Sequence, residues 1–180
     1  MTLEKINSLS PRDAVTLFRQ CCGSLRWAQA MGERRPFGDE QQLFGVAEEV
    51  WDALAHDDWK EAFARHPRIG DIKSLRKKFT RPSPEREGAA LEWAKGEQAG
   101  AEGASEKVLK ALVEGNNLYE AKFGFIFIVC ATGKSAEEML SILNQRLSNM
   151  PTEEIRTAAN EQAKITRIRL EKLLSSAPGS

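Results

Sequence analysis

Apolar residues recur along most of this chain at the three- and four-residue spacing of helices that bury one face. Ser10-Pro11-Arg12-Asp13 reads as a helix start: a capping serine, a proline at the first helical position, and an acid in the first turn. Ala14, Val15, Leu17 and Phe18 give that helix an apolar face, and Gly23 can end it. A short helix carrying Leu25, Trp27, Ala28 and Met31 follows and breaks at Arg34 to Gly38. Asp39 caps the next, with Leu43, Val46, Ala47, Val50, Trp51 and Leu54 on one side. Asp57-Asp58 opens another segment through Trp59, Ala62 and Phe63 to His66-Pro67, where proline forces the preceding residue out of the α region.

The second half continues in this way with one interruption. A basic stretch, Lys73 to Arg81, leads to the loop Arg81-Pro82-Ser83-Pro84 and a helix expected to reach about Gln98. Ser105 is the expected cap of a helix carrying Val108, Leu109, Leu112, Val113, Leu118 and Tyr119. Phe123 to Ala131 is aromatic and β-branched, and reads locally as a strand. No strand of similar strength lies nearby, so a buried extended segment between helices is expected. Ser135 with Glu138 forms a capping box for a helix with Met139, Ile142, Leu143, Arg146 and Leu147. Asn149-Met150-Pro151 ends it. A long last helix begins at Thr152 and runs through Ile155, Ile165, Ile168, Leu170 and Leu173. The pattern predicts an all-α, single-domain helical bundle over residues 1–174, with one buried extended apolar segment and a flexible tail at 175–180.

Composition narrows the function. The 26 basic and 26 acidic residues cancel, which argues against a nucleic-acid partner. The early Glu4, Lys5 and Asn7 argue against a signal peptide, and the apolar run is too short to span a bilayer. Three cysteines, Cys21, Cys22 and Cys130, make a poor disulfide framework and fit a reducing cytoplasm. There is no His-Glu-x-x-His and no Cys-x-x-Cys, so no metal site is expected.

Four features could carry chemistry. His66 sits at a bend and titrates near neutrality, which suits proton transfer; spacing also admits a helix-end histidine bonded to a carbonyl. His56, in Ala55-His56-Asp57-Asp58, reads as part of a solvated connection. Glu97-Gln98, flanked by Gly96 and Gly100, places an acid at a helix C-terminus, where the dipole disfavours it; an ordinary solvated acid is the alternative. Arg146 has the planar fork that holds a carboxylate, or is a surface arginine with a buried stem. The non-helical run leaves backbone N–H and C=O groups that can recognise an amide-rich heterocycle, or is simply core.

Taken in order, Arg35-Pro36-Phe37, His66-Pro67-Arg68-Ile69-Gly70, Glu97-Gln98-x-Gly100, Asn116 to Phe125, and Arg146-Leu147-x-Asn149 resemble the OHCU (2-oxo-4-hydroxy-4-carboxy-5-ureidoimidazoline) decarboxylase family of urate degradation. The resemblance runs from Ile6-Asn7 to Arg169-Leu170. It implies a helical, cofactor-free and homodimeric enzyme that converts OHCU to S-allantoin and CO2. It implies His66 as the catalytic histidine, with Glu97 and Arg146 as partners converging on one small cavity. It implies that Pro67, the stretch Ala94, Lys95, Gly96 and Gln98, and the backbone of Phe127, Ile128, Val129, Cys130 and Ala131 line the substrate. Two positions depart from the family: Ala94 stands where serine is frequent, and Arg68-Ile69 where many members have Asp-Leu. Two other readings stay open, a decarboxylase or hydrolase of a related ureide and a non-catalytic helical interaction module.

Overall fold

The computed structural model describes residues 1–68 and 98–175, with the backbone alone for 98–105. Among the described residues there are eight helices and no strand. They are α1 (Leu3–Ser8), α2 (Pro11–Cys22), α3 (Leu25–Glu33), α4 (Glu40–Asp52), α5 (His56–Phe63), α6 (Gln98–Phe123), α7 (Ala136–Arg146) and α8 (Pro151–Ser175). None is long and apolar enough to cross a membrane. The helix expected to end near Gln98, its upstream loop and most of the tail lie outside the described residues.

The capping residues read from the sequence set most boundaries. Ser10, Asp39 and Ser135 each accept a backbone N–H from the third residue on, satisfying a donor that the helix start leaves unpaired. Glu138 closes the capping box on Ser135 at 2.7 Å. Gly23 ends α2 with φ at 101°, a left-handed conformation that costs glycine nothing. Two expectations fail. Ser105 is no cap, because α6 already begins at Gln98; Ala99, Ala101, Glu102 and Ala104 are strong helix formers and extend it without an apolar face. His56 is exposed but not in a loop: it is the first residue of α5, stacked on Trp59 at 5.2 Å. The strand-like run does not form a strand. Phe123 closes α6, Gly124 turns with φ at 76°, and residues 126–131 have no regular structure. Helix α1, capped by Thr2, has only Ile6 buried and too little apolar pattern to be read beforehand.

The described chain forms two compact units. The first holds residues 1–66, 128–130 and 155–175. Its core packs Phe18 edge-on against Trp27 and Phe37, with ring centres 6.0 and 6.2 Å apart. The indole N–H of Trp27 donates to the Ala47 carbonyl and that of Trp51 to the Ala159 carbonyl, both at 3.0 Å. These rings thus bury their area without leaving a polar atom unpaired. Arg35-Pro36-Phe37 serves this unit structurally. The Arg35 guanidinium donates to the carbonyls of Ile6 and Leu9, at 2.9 and 2.8 Å, while the Asn7 side chain bonds both backbone groups of Phe37.

The second unit holds residues 67–68, 98–127 and 131–154. Helices α6 and α7 pack closely where Gly115 meets Leu143. A Cβ on Gly115 would stand 2.6 Å from Leu143 Cδ2, and Leu143 is fully buried. We expect Gly115→Ala to lower stability by roughly 1 kcal/mol in urea unfolding, because overpacking outweighs the helix propensity gained.

Candidate active site

His66 follows the end of α5. Its backbone N–H donates to the Phe63 carbonyl at 3.1 Å, which fixes the bend that Pro67 prolongs. The half-buried imidazole lies against α8, with Nε2 2.5 Å from Gln162 Oε1. Gln162 is fully buried. Its Nε2 donates to Thr166 Oγ1 at 3.1 Å and, at 3.5 Å, to the carbonyl of Cys22 in the last turn of α2. The sequence reading missed this glutamine. Glu154, Ile155, Ala158, Ala159, Gln162, Thr166 and Leu170 form the buried stripe of α8, spaced three and four apart. Polar residues on an apolar stripe are the signal that could have found Glu154, Gln162 and Thr166.

Cys22 closes this network. Burial pushes its thiol up to about 12, opposed by the Ser24 backbone N–H and the Thr166 hydroxyl. Burial raises Cys21 to about 11, opposed by Arg169. Both folded values lie above the ordinary 9.0, so folded thiols keep protons that unfolded ones release. Their contribution to stability is therefore complete below about pH 9 and is lost as pH rises through the folded values. Each thiol should add a slope of about 1.4 kcal/mol per pH unit in that window. Urea midpoints measured from pH 8 upward should fall steeply above pH 9, and Cys22→Ala should flatten the fall.

Arg146, the last residue of α7, is a buried arginine and not a surface one. Only 5% of it is exposed. Its Nε donates to Glu154 Oε1 at 2.7 Å and its Nη2 to the Tyr119 hydroxyl at 3.2 Å. Nη2 also lies 2.5 Å from Glu154 Oε1. The Tyr119 hydroxyl in turn donates to Glu154 Oε1, and Asn149 Nδ2 donates to Oε2 at 2.7 Å. Glu154 is fully buried, so both of its oxygens are held by side chains. Burial first, and then the neighbouring carboxylate, push the Tyr119 hydroxyl above its ordinary range, against the pull of Arg146. The guanidinium lies over Phe127 at 4.8 Å and over Tyr119 at 5.8 Å. Tyr119, Phe123, Phe125 and Phe127 form one aromatic cluster. The runs from Asn116 to Phe125 and from Arg146 to Asn149 thus meet in one structure, an aromatic slot with a carboxylate at its end.

The other expected site residues divide. Pro67 follows His66 without regular structure. In the apolar run, Phe127, Ile128 and Cys130 are buried, and Val129 and Ala131 are half-buried. Backbone groups of the run are engaged by the protein: the Cys130 N–H donates to Glu161 at 2.7 Å, and the Ala131 carbonyl accepts from the Lys134 N–H. Ala94, Lys95, Gly96 and Glu97 lie outside the described residues, as does the side chain of Gln98. No metal-binding cluster of His, Cys, Asp or Glu occurs among the described residues. A cleft of about 600 Å³ in the first unit, lined by Arg19, Arg65 and Arg169, contains none of the expected residues.

Comparison with known proteins places this geometry. The OHCU decarboxylase family model matches residues 7–171. A uric acid degradation bifunctional protein of Arabidopsis thaliana is 37% identical over 88% of this chain, which spans 46% of that protein. A human relative is 31% identical over 99% of the chain and 98% of its own length. A crystal structure of an OHCU decarboxylase in the presence of (S)-allantoin superposes with a TM-score of 0.68 at 35% identity, covering 88% of this chain and 97% of the other. An (S)-allantoin synthase structure shares the fold, with a TM-score of 0.67 at 16% identity. With a match that takes in both the His66 bend and the buried arginine, the chain belongs to the OHCU decarboxylase family.

Proposed function

We propose that this chain decarboxylates OHCU to (S)-allantoin and CO2, without an added cofactor, as a cytoplasmic homodimer whose functional domain is residues 1–174. The observation that carries this reading is the 35% identity to an OHCU decarboxylase crystallised with (S)-allantoin, across nearly all of that chain.

The substrate supplies its own electron sink. When the bond to the carboxylate breaks, its electron pair passes into the adjacent C=N of the ring and CO2 leaves. The ring nitrogen that receives the pair takes up a proton, the ring hydroxyl gives one up as it becomes the product carbonyl, and the neighbouring ring carbon gains one, so that one proton is consumed overall. The protein has to hold the anion, move these protons and protect one face. His66 exchanges the proton, and Glu97 orients it or shares the transfer. Arg146 stabilises an anionic oxygen, held in place by its contacts to Glu154 and Tyr119. Pro67, Ala94, Lys95, Gly96, Gln98 and the backbone of Phe127, Ile128, Val129, Cys130 and Ala131 line the substrate.

The test is stereochemical. Uncatalysed decay of OHCU gives racemic allantoin. Freshly generated OHCU should yield allantoin with the circular dichroism of the S form when the protein is present, and CO2 should evolve with it. A racemic product at the uncatalysed rate would refute the proposal.

A further inference from the structure

We infer that Gln162 is a positioning residue for His66, one that holds the proton on its Nε2; this rests on the catalytic reading of His66 given above.

A glutamine side chain has one accepting and one donating end, so its surroundings decide which way it points. Here the far end is decisive. The Cys22 carbonyl can only accept, and it lies in the last helical turn, where carbonyls lack an intrahelical partner. Gln162 must present its NH2 group there. The Thr166 hydroxyl is compatible with this orientation, accepting from Gln162 Nε2 at 3.1 Å. Turning the amide over would set oxygen against the Cys22 carbonyl oxygen and remove that carbonyl's donor. In a fully buried side chain such a loss costs about 1–3 kcal/mol.

With the amide fixed, Oε1 is the atom facing the imidazole, at 2.5 Å. An oxygen without a hydrogen requires a donor opposite it. His66 Nε2 therefore carries a proton in the neutral ring as well as in the imidazolium, and by valence the neutral ring has its lone pair on Nδ1. Gln162 stands where a carboxylate orients the histidine of a hydrolytic triad, but it is uncharged. It selects the tautomer without the rise in pKa that a carboxylate would bring. Around this network, burial keeps the Cys21 and Cys22 thiols protonated and Arg169 donates to the Cys21 carbonyl; Arg65 precedes His66 in the sequence.

Imidazole nitrogen NMR of the whole protein tests this directly. The chain has two histidines, and His56→Asn leaves His66 as the single signal. In its neutral form His66 should carry its ring proton on Nε2. Gln162→Leu should mix the tautomers and lower kcat by ~10–10²-fold, the range for groups that orient a metal-bound histidine, with KM nearly unchanged. Gln162→Glu should keep the tautomer and move the histidine limb of the kcat/KM profile upward by about 1–3 pH units. That direction holds whether His66 acts first as acid or as base. A neutral His66 protonated on Nδ1, with His66→Asn inactive, overturns this inference alone. An active His66→Asn overturns the catalytic reading together with it. An unmoved limb in folded Gln162→Glu also overturns the inference.

Discussion

His66→Asn is expected to lower turnover by ~10²–10⁴-fold, the usual worth of a general acid or base, while the protein stays folded. The two halves of that expectation come from different features. The bend that holds His66 is made by its backbone N–H on the Phe63 carbonyl and by Pro67, and asparagine keeps both. Gln162 keeps its contacts to Thr166 and to the Cys22 carbonyl, so the buried amide is not left without partners. What asparagine lacks is a group that titrates near neutrality. The (S)-allantoin signal in circular dichroism should therefore collapse while the thermal melt moves little. Near-normal turnover would remove His66 from the mechanism.

The largest stability effect is expected at Arg146. Arg146→Ala should cost about 3–5 kcal/mol, because it leaves the fully buried Glu154 carboxylate without its cation. That is a large share of the roughly 5–15 kcal/mol that holds a domain folded. Arg146→Lys should fall well short of rescue. A lysine cannot supply the Nε and Nη2 contacts together, nor lay a planar cation over Phe127. Glu154→Ala strands the arginine instead and should be similarly damaging. Removing both groups should cost less than the sum of the single losses, by about 0.5–3 kcal/mol, since the two act as one unit. Urea unfolding of the two single variants and the double variant measures this coupling, and strict additivity would show that the pair is not a unit. Lost turnover in Arg146→Ala has to be read beside its melt, since the same change removes a buried structural cation along with the proposed anion-binding group.

These two residues show how unevenly a site can be read from a chain. His66 was conspicuous because proline and a helix end are local signals: sterics between neighbouring residues impose the bend whatever lies around it. Arg146 looked like one arginine among many, with a buried stem as its ordinary reading. Its character comes from Glu154, eight residues on across a helix break, and from Tyr119, 27 residues back. Sequence spacing does not encode that meeting. Gln162 is the clearest case. It is 96 residues from His66, and no local rule selects it from the other polar residues of α8, except that it falls on the buried stripe. In the apolar run a local signal is overruled. Its β-branched and aromatic composition favours a strand, but a strand needs a partner, and the sequence offers no second run of that strength; among the described residues no strand forms.

The sequence by itself determined most of the helices and of their capping residues, the His66-Pro67 bend and the family. Those depend on interactions a few residues long, or on ordered motifs that persist along the chain. The tertiary structure alone decided which polar residues are buried together: Gln162 under His66, and Glu154 with Tyr119 around Arg146. The reason is dielectric as much as geometric. A polar group away from water must find its complement or destabilise the fold, and only the packed chain brings that complement within reach.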